Sequence, residues 1–329
     1  MQENTVVIDA QIHKLEQILG LFVNSGDRYA LIDFPDHSNV GDSAIWLGEV
    51  ILLKRLTGNL PGYVADLHSF DADELVACFP EGVIFIHGGG NFGDIWPQHQ
   101  AFRERIVSLF PDRKVIQLPQ SIHFLDSNNL HKAVKIFNNH PDFHLLVRDQ
   151  KSYDFAARNF KSNVTLSPDC AFVLGAQPRK KTCSKYLYLL RTDSEKKQSY
   201  AWNELIHDNK DSETCDWLDD GKLFKWKAAA VAVIDALSIA FTQSFRFHYY
   251  QAKAKIRVKR GLRILSRGQV VITDRLHAHI LSVLLNTPHY VLDNSYGKIS
   301  AYIQCWTKEY ALLQQVSSLA ELKKQTQNK

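Results

Sequence analysis

The stretch GVIFIHGGGNFGDIW, residues 82–96, decides how this chain folds. Its apolar run, VIFI, is followed by four glycines within six residues, and a segment with helical spacing begins near 97. A short apolar run bounded by glycines predicts a buried strand, and the spacing that follows predicts a helix. Residues 82–110 therefore predict one β-strand, a glycine-rich loop and one α-helix.

The same strand-then-helix order recurs on both sides of this stretch. The other elements predicted in this half are helices over 8–22, 43–57, 128–138 and 150–159 and strands over 30–34, 114–119 and 143–149. Regular alternation of this kind indicates a parallel sheet with helices on both faces.

The second half repeats the alternation on a smaller scale. PRKKTCSK, residues 178–185, is polar and basic, and a new strand, KYLYLLR, follows it. We therefore divide the chain into an N-terminal domain, 1–178, and a C-terminal domain, 179–329. The further predicted elements are a helical region from near 225, strands over 269–274 and 289–293, a helix over 275–285 and a C-terminal helix. The predicted fold class is α/β, with two Rossmann-like domains facing a cleft.

Composition narrows the class of protein. Hydrophobic residues make up 45% and charged residues 22% of the 329, which excludes a disordered, collagenous or coiled-coil chain. The net charge of +4 does not by itself indicate nucleic-acid binding. Five scattered cysteines without a CxxC pair indicate neither a disulfide framework nor a metal site. Because no run of 18 apolar residues and no signal-peptide pattern occurs, we expect a cytoplasmic protein.

Polar motifs follow several of the predicted strands directly. They are SNVGDSAIW (38–46), IHGGGNFGD (86–94), LPQSIHF (118–124), LVRDQKS (146–152), SPDCAF (167–172), LLRTDSE (189–195) and VITDRLHAHI (271–280). Open α/β sheets bind ligands at the carboxyl ends of their strands. The sequence therefore predicts a ligand-binding cleft that these motifs line.

VITDRLHAHI is the most informative of these motifs. Its strand delivers Asp274, Arg275 and His277 to a helix N-terminus, where a guanidinium and the helix dipole together attract a dianion. A histidine there can donate or accept a proton near neutral pH. Either His277 or His279 alone is most simply a buried core residue, but an Arg and a His at one turn favour a functional site.

The other motifs leave structural and functional interpretations open. In GGGNFGD, several backbone N–H groups could converge on an anion. In SNVGDSAIW, Asp42 or Ser43 could simply cap the next helix. Arg148 could pair with Asp149 at the surface, and Asp169 could belong to a structural turn.

Residues 246–263, RFHYYQAKAKIRVKRGLR, carry seven Lys or Arg and no acidic residue, with aromatic side chains between them. A solvated helix face is the usual meaning of such a pattern. The alternative is a surface patch that contacts anionic lipid headgroups or a lipid-diphosphate substrate.

Taken in order, NVGDSAI, IHGGGNFGD, LPQSI, the Arg148–Asp149 pair, SPDCAF and TDRLHAHI followed by Lys298 resemble the polysaccharide pyruvyl transferase family. Several linked motifs in one order are more specific than any one of them. The resemblance spans roughly residues 38–300, and nothing in 192–265 matches.

The resemblance implies a GT-B-like pair of Rossmann-like domains and a reaction between phosphoenolpyruvate and a sugar. The enolpyruvyl unit would move onto two sugar hydroxyls, forming a cyclic ketal and releasing phosphate. It implies phosphoenolpyruvate as co-substrate, a saccharide acceptor, no metal or organic cofactor and no nucleic acid. Whether the acceptor is lipid-linked, and whether 246–263 holds the protein at the inner face of a membrane, stays open.

Phosphoenolpyruvate carries a carboxylate and a phosphate, so its site needs clustered cations and a helix N-terminus. We expect donor binding by Arg148, Arg191, Arg275, Leu276, Gly88, Gly89 and Gly90. We expect His277 to act as general acid and Asp42 or Asp94 as the base for the sugar hydroxyl. The expected acceptor-binding residues are Asn91, Trp96 and His123.

Other functions remain open at this level. A GDS-type serine hydrolase would use Ser43, Asp274 and His277, but it leaves Arg148 and Arg191 unexplained. A nucleotide-sugar glycosyltransferase shares the implied fold. A non-catalytic scaffold would bind a membrane or nucleic acid through its basic segment. An α/β-hydrolase is disfavoured because no GxSxG follows the HGGG sequence.

Overall fold

Seven parallel strands form a first sheet in the described part of the N-terminal half. The structure, a computed structural model, describes residues 3–192, 202, 211–238, 245–293 and 297–327. The strands are β1 (Tyr29–Ile32), β2 (Tyr63–Ala65), β3 (Val83–Ile86), β4 (Gly89–Gly93), β5 (Val115–His123), β6 (Phe143–Val147) and β7 (Asn163–Leu166). Their order is β2, β1, β3, β5, β6, β7, with β4 beside β5.

Five parallel strands form a second sheet in the other half. They are β8 (Ser184–Leu189), β9 (Ser212–Cys215), β10 (Gly268–Thr273), β11 (His289–Leu292) and β12 (Leu313–Val316). Their order is β12, β11, β10, β8, β9. The predicted α/β class with two parallel sheets is confirmed, whereas the finer GT-B-like arrangement stays a prediction.

Helices connect the strands of both sheets. They are α1 (Glu3–Leu19), α2 (Val40–Thr57), α3 (Ala72–Cys78), α4 (Pro97–Leu109), α5 (Ser127–Asn138), α6 (Gln150–Asn159), α7 (Phe224–Ser238), α8 (Phe245–Leu265), α9 (Leu276–Leu284), α10 (Lys298–Trp306) and α11 (Leu319–Gln327), with a 3₁₀ turn at Cys170–Leu174. Within these ranges, no helix combines the length and apolar character needed to span a bilayer.

Short or polar elements escaped the sequence prediction. Strand β2 has three residues, β4 reads GGNFG and β9 reads SETC. None of these carries the apolar run that identifies a strand in a sequence. They form because each lies beside a longer, buried neighbour that supplies its hydrogen-bond partners.

In each sheet, successive strands are first added on one side of the starting strand and then on its other side. In the first sheet, β1 lies between β2 and β3, and in the second, β8 lies between β9 and β10. Loops that leave the two strands on either side of such a switch point diverge and open a crevice at their carboxyl ends. The topology therefore places one potential binding crevice above β1 and β3 and another above β8 and β10.

Helices α2 and α8 join the two sheets into one hydrophobic core. The ring of Tyr250 in α8 stacks on Phe34 at 4.0 Å between centroids, and Trp46 in α2 meets Phe34 edge-on at 4.9 Å. On its other side α2 lies against the 3₁₀ turn, where a Cβ at Gly48 would come within 1.9 Å of the Cys170 carbonyl oxygen. This close approach of two backbones explains why glycine occupies position 48.

Helix α1 also crosses between the two halves. The Asn4 side-chain amide donates to the Val283 carbonyl at 3.0 Å, and Gln11 donates to the Trp306 carbonyl at 2.8 Å. The first helix of the chain therefore packs against elements of the second half, and the division at 178/179 stays a prediction.

The basic segment 246–263 differs from the open surface that its charges predicted. It forms most of α8, and about half of its side chains, including Phe247, Tyr250 and Val258, are buried. Four of its cations form ion pairs within the protein. These are Arg246 with Glu74, Lys253 with Asp36, and Arg257 and Arg260 with Asp220. The acids that neutralise the segment come from distant parts of the chain, which is why the local sequence suggested an unpaired patch.

Two buried histidines in the second half form a relay of neutral rings. His289 Nδ1 lies 2.8 Å from the Thr287 carbonyl oxygen and therefore carries the hydrogen. Its Nε2 then accepts from His279 Nδ1 at 2.7 Å, and His279 Nε2 accepts from the Thr307 hydroxyl at 2.8 Å. Burial lowers the pKa of His289 to about 4 and holds the pKa of His279 well below its ordinary value. A second proton on His289 would set its Nε2–H against the Nδ1–H of His279.

This relay predicts an acid-sensitive core. In the unfolded chain both imidazoles take up protons below about pH 6.5, whereas the folded rings stay neutral to lower pH. The free energy of unfolding should therefore be highest above pH 6.5 and fall as the pH drops from 6.5 towards 4. Urea titrations across this range measure the slope, and the double variant His279→Leu/His289→Phe should flatten it. An equal slope in both proteins would mean that the relay does not exclude protons.

Candidate active site

A cavity of about 350 Å³ lies where the two switch points meet. The segments that follow β1 and β3 contribute His37, Asn39, Asp42, Gly90, Asn91, Trp96 and His99, and those that follow β8 and β10 contribute Arg191, Arg275, Leu276 and His277. Arg148 follows β6, and Trp217 and Lys298 lie on the side of the second sheet. The volume is within the range of small-molecule sites. The structure thus brings together most of the predicted site residues.

Positive charge dominates the lining of the cavity. Its described cations are Arg148, Arg191, Arg275 and Lys298, and its one described carboxylate is Asp42. Arg275 is buried, and its Nη2 donates to Asp216 at 2.7 Å, which fixes the plane of the guanidinium. Lys298 Nζ lies 3.5 Å from the Gly90 carbonyl oxygen and so bridges the two sheets. A lining with four cationic side chains and one carboxylate suits a ligand with several negative charges.

Arg148, Asp169 and His277 form a buried triangle beside the cavity. Asp169 Oδ2 lies 2.7 Å from Arg148 Nη1 and 3.3 Å from His277 Nε2, and those two nitrogens are 3.5 Å apart. Burial by itself would raise the pKa of Asp169, but His277, Arg148 and the Ala171 N–H outweigh it and hold that pKa well below its ordinary range. Asp169 is therefore a carboxylate at neutral pH and holds both neighbours in place. Arg148 pairs with Asp169 across the cleft floor rather than with Asp149.

The N-terminus of α2 packs directly against His277. Asn39, not Asp42 or Ser43, caps this helix, since its Oδ1 accepts the Gly41 N–H at 3.1 Å. A Cβ at Gly41 would lie 2.3 Å from His277 Nδ1. The imidazole therefore fits against bare backbone, and glycine is needed here for close approach rather than for a turn.

Asp42 is free of the capping role and faces the cavity from the first turn of α2. Asn39 Nδ2 donates to its Oδ2 at 2.8 Å, and His37 Nε2 lies 3.6 Å away. Burial favours the neutral acid, but His37, His277, His87 and Arg148 outweigh it and lower the pKa of Asp42 below its ordinary value. This carboxylate can accept a hydrogen bond from a hydroxyl group in the cavity.

Three backbone N–H groups of the glycine-rich loop are not available for the anion cradle that its sequence suggested. The Gly88 N–H donates to Glu49 at 2.8 Å, the Asn91 N–H to Gln120 at 3.1 Å, and the Gly93 N–H to Gln100 at 3.0 Å. These partners come from α2, β5 and α4. The glycines serve close packing instead, because a Cβ at Gly93 would lie 1.7 Å from the His123 carbonyl oxygen. Gly90 lines the cavity, whereas Gly88 and Gly89 do not.

A buried polar network orients Asn91. Its Oδ1 accepts from Arg103 Nη2 at 2.7 Å and from Gln120 Nε2 at 2.8 Å, which leaves the amide NH₂ as the group offered to the cavity. Arg103 is fully buried, donates also to Gln100, and lies over the Phe92 ring at 4.6 Å. Asn91 is thus presented as a fixed hydrogen-bond donor.

Besides Gly88 and Gly89, two more of the predicted site residues, Asp94 and His123, lie away from the cavity. Both Asp94 oxygens accept the Leu125 N–H, at 2.8 and 3.0 Å, and one accepts the Asp126 N–H at 2.8 Å, so this carboxylate caps a surface loop. His123 ends β5, where its backbone pairs with Gly93. Neither side chain lines the cavity, whereas Trp96, predicted with them, does.

Sequence reasoning missed His99 and Asp33. His99 lies in the first turns of α4, where nothing in PQHQ distinguishes it from a solvated helix residue. Its Nδ1 lies 2.9 Å from the fully buried Asp33, and its ring lines the cavity. Asp33 has a φ of 68°, a strained conformation for a residue with a side chain. A strained backbone that places a buried carboxylate against the ring of His99 indicates a functional role. No sequence pattern would have shown this contact.

The hydrolase triad suggested by the sequence does not assemble. Ser43 is fully buried inside α2 and does not line the cavity. Asp274 Oδ1 accepts the Arg191 N–H at 2.8 Å, and the carboxylate beside His277 is that of Asp169. A serine nucleophile must reach its base and its substrate, so this alternative is wrong. Across the described ranges, no three His, Cys, Asp or Glu side chains are grouped so that they could hold a metal ion.

Known proteins are similar in sequence to this chain over most of its length. The family model described as polysaccharide pyruvyl transferase matches residues 39–296. Pyruvyl transferase 1 of Schizosaccharomyces pombe is 34% identical over 85% of this chain and 69% of its own. The putative pyruvyl transferase EpsO of Bacillus subtilis is 31% identical over 83% of this chain and 84% of its own. The span that the family model matches includes the cavity-lining residues between Asn39 and His277.

The fold also matches a solved structure. A functionally uncharacterized protein from Klebsiella pneumoniae superimposes with a TM-score of 0.60 over 94% of this chain and 99% of its own. The two sequences are 19% identical, so the likeness concerns the fold alone.

The cavity is expected to bind inorganic phosphate. Phosphate at millimolar concentration should raise the thermal midpoint by several degrees, because a ligand that binds the folded state stabilises it. In Arg148→Gln this rise should be largely lost, while Arg158→Gln, at an exposed position on α6, should keep it. Each variant is compared with its own phosphate-free midpoint by calorimetry. An equal rise in Arg148→Gln would place the anion elsewhere.

Proposed function

This chain belongs to the polysaccharide pyruvyl transferase family, and we propose that it transfers the enolpyruvyl unit of phosphoenolpyruvate to two hydroxyl groups of a saccharide. The products are a cyclic ketal and phosphate. The observation that carries the proposal is the cavity in which Arg148, Arg275 and Lys298 surround His277. In this proposal the two sheets are GT-B-like, with loops of the first binding the acceptor and loops of the second the donor.

The donor side of the cavity suits phosphoenolpyruvate. The molecule carries a phosphate and a carboxylate a few ångströms apart, and planar guanidinium groups bind both in a bidentate way. Arg275 lies at the N-terminus of α9, which has no side-chain cap, so helix N–H groups and a guanidinium face the same space. Arg148, Arg191 and Lys298 supply the remaining positive charge.

The reaction needs one proton at carbon and one on the leaving phosphate. Protonation of the methylene carbon makes a methyl group and leaves an oxocarbenium-like centre at C2, which the first sugar hydroxyl attacks. The second hydroxyl then attacks C2 as the C2–O bond to phosphate breaks. The proton lost from the first hydroxyl balances the one gained at carbon, and the second proton leaves with phosphate.

His277 is placed to carry these protons. It lies against Gly41 and touches Asp169 and Arg148, so its ring has a fixed orientation inside the charged cavity. We assign it the role of general acid, either to the methylene carbon or to the departing phosphate. Asp169 is a positioning residue, because it reaches the ring and not the cavity.

On the acceptor side, Asp42 and His99 are the groups able to take a proton from a sugar hydroxyl. Asp42 is ionised at neutral pH, and His99 is oriented by Asp33. The Asn91 amide offers a donor to a sugar oxygen, and the half-exposed Trp96 ring offers an apolar face on which a pyranose can stack. Asp94, which lies outside the cavity, drops out as a base.

A nucleotide-sugar glycosyltransferase is the alternative that the fold allows. It predicts affinity for a nucleotide sugar instead of phosphoenolpyruvate, so one binding experiment separates the two.

We also expect turnover without an added metal ion, since phosphoenolpyruvate alone serves as co-substrate.

Phosphoenolpyruvate should bind the wild-type protein in isothermal calorimetry without any acceptor. Arg275→Ala should weaken this binding at least about thirtyfold, because a charge-assisted contact to the donor is lost. Arg158→Ala is the matched control and should bind normally. Binding of a uridine or guanosine diphosphate sugar, with none of phosphoenolpyruvate, would overturn the proposed donor.

Gly41→Ala should remove activity without unfolding the protein. The added methyl group displaces the His277 ring, and a misplacement of about 1 Å costs about a hundredfold in rate. Alanine in a helix is more stable than glycine, which offsets part of the strain at the new contact. The readout is phosphate released from phosphoenolpyruvate with a panel of hexopyranosides, beside the thermal midpoint. Full activity in Gly41→Ala would show that the position of His277 does not limit the reaction.

A further inference from the structure

Helix α7 is apolar on two opposite faces. Its inner side packs on α8, where Ala228 and Ala232 meet Ala252. Its outer side carries Trp226 and Val233, which are 78% and 46% exposed, with Ala230 exposed between them, and Leu223, 62% exposed, lies in the turn just before the helix. At 100° per residue, positions 223, 226, 230 and 233 share one stripe. A row of exposed apolar side chains on one helix face is typical of an interaction site, so this outer stripe indicates a partner.

The charges around the stripe show what kind of partner fits. Lys222, Lys225 and Lys227 are exposed beside it. On the α8 side, the Arg257 guanidinium lies over the Phe224 ring at the start of α7. Of the two acids that precede the helix, Asp220 pairs with Arg257 and Arg260, and Asp219 accepts the Gly221 N–H. The apolar stripe is therefore bordered by cations.

We propose that this stripe, formed by Leu223, Trp226, Ala230 and Val233, binds the surface of an anionic lipid bilayer. Tryptophan prefers the level of the headgroups, and lysines beside an apolar stripe reach past it to anionic lipid phosphates. A second copy docked on this stripe would bring the same lysines against each other, whereas an anionic bilayer complements them, so the lysine border favours lipid over a second copy of the chain. The membrane contact thus lies on α7, and not on the largely buried residues 246–263.

The stripe lies close in the chain to the cavity. Trp217 and Leu218 line the cavity wall, and the five residues 219–223 connect them to the first residue of α7, Phe224. A protein docked through α7 would hold the cavity near the bilayer surface, within reach of a saccharide carried on a membrane lipid. This last step rests on the proposed function, whereas the membrane contact does not.

Flotation with lipid vesicles tests the contact without any substrate. The full chain should float with vesicles of phosphatidylcholine mixed with phosphatidylglycerol and stay behind with phosphatidylcholine alone. Trp226→Ser should weaken partitioning at least about tenfold, and Lys225→Gln/Lys227→Gln about thirtyfold at low salt. Leu125→Ser, an equally exposed apolar position far from α7, is the matched control and should bind like wild type.

A second readout separates docking from misfolding. The tryptophan emission of the protein should shift to shorter wavelength when anionic vesicles are added. Trp226→Ser should lose that shift while keeping the wild-type thermal midpoint. Absence of vesicle binding, or binding that Trp226→Ser leaves unchanged, would overturn the proposal. A concentration-dependent dimer that Trp226→Ser dissolves would assign the stripe to a second copy instead. Because the vesicles contain no phosphoenolpyruvate, these outcomes are independent of the proposed reaction.

Discussion

The ion triad of Asp169 with Arg148 and His277 is the interaction on which the site depends. Asp169 follows the first sheet and His277 begins a helix of the second, so the buried carboxylate ties the two halves together at the cavity floor. A buried charge is tolerated when it is fully paired, and loss of one partner leaves another uncompensated. The orientation of the imidazole and the placement of a guanidinium are therefore set by one group.

The sequence predicted the site best where geometry follows from topology. Arg148, Arg275 and His277 lie far apart in the chain, yet each follows a parallel strand, and strand ends converge. The long periodic elements were predicted for the same reason: their apolar spacing reflects burial directly. Strands β2 and β9 were not, because a three-residue strand and SETC owe their form to neighbours.

Predictions failed where a partner comes from elsewhere in the chain. The backbone N–H groups of the glycine-rich loop were predicted to bind an anion. Three of them instead donate to side chains from other elements, namely Glu49, Gln100 and Gln120. The cations of α8 looked exposed because the acids that pair with them lie at 36, 74 and 220. His99 was missed since its significance comes from Asp33 across the fold. A local sequence pattern identifies the type of residue, but its hydrogen-bond and ion-pair partners are determined by the fold.

The packing of α8 on the first sheet bears on how the chain is made. The Tyr250 hydroxyl donates to Asp66, a contact that spans 184 positions, and its ring covers Phe34 and Trp46. During synthesis the side chains that α8 covers, Phe34 and Trp46 among them, therefore leave the ribosome uncovered and stay so until α8 has emerged. Nascent chains with exposed apolar surface are prone to aggregate. We therefore expect fragments that stop before residue 265 to be less soluble than the full chain, because they lack this late helix.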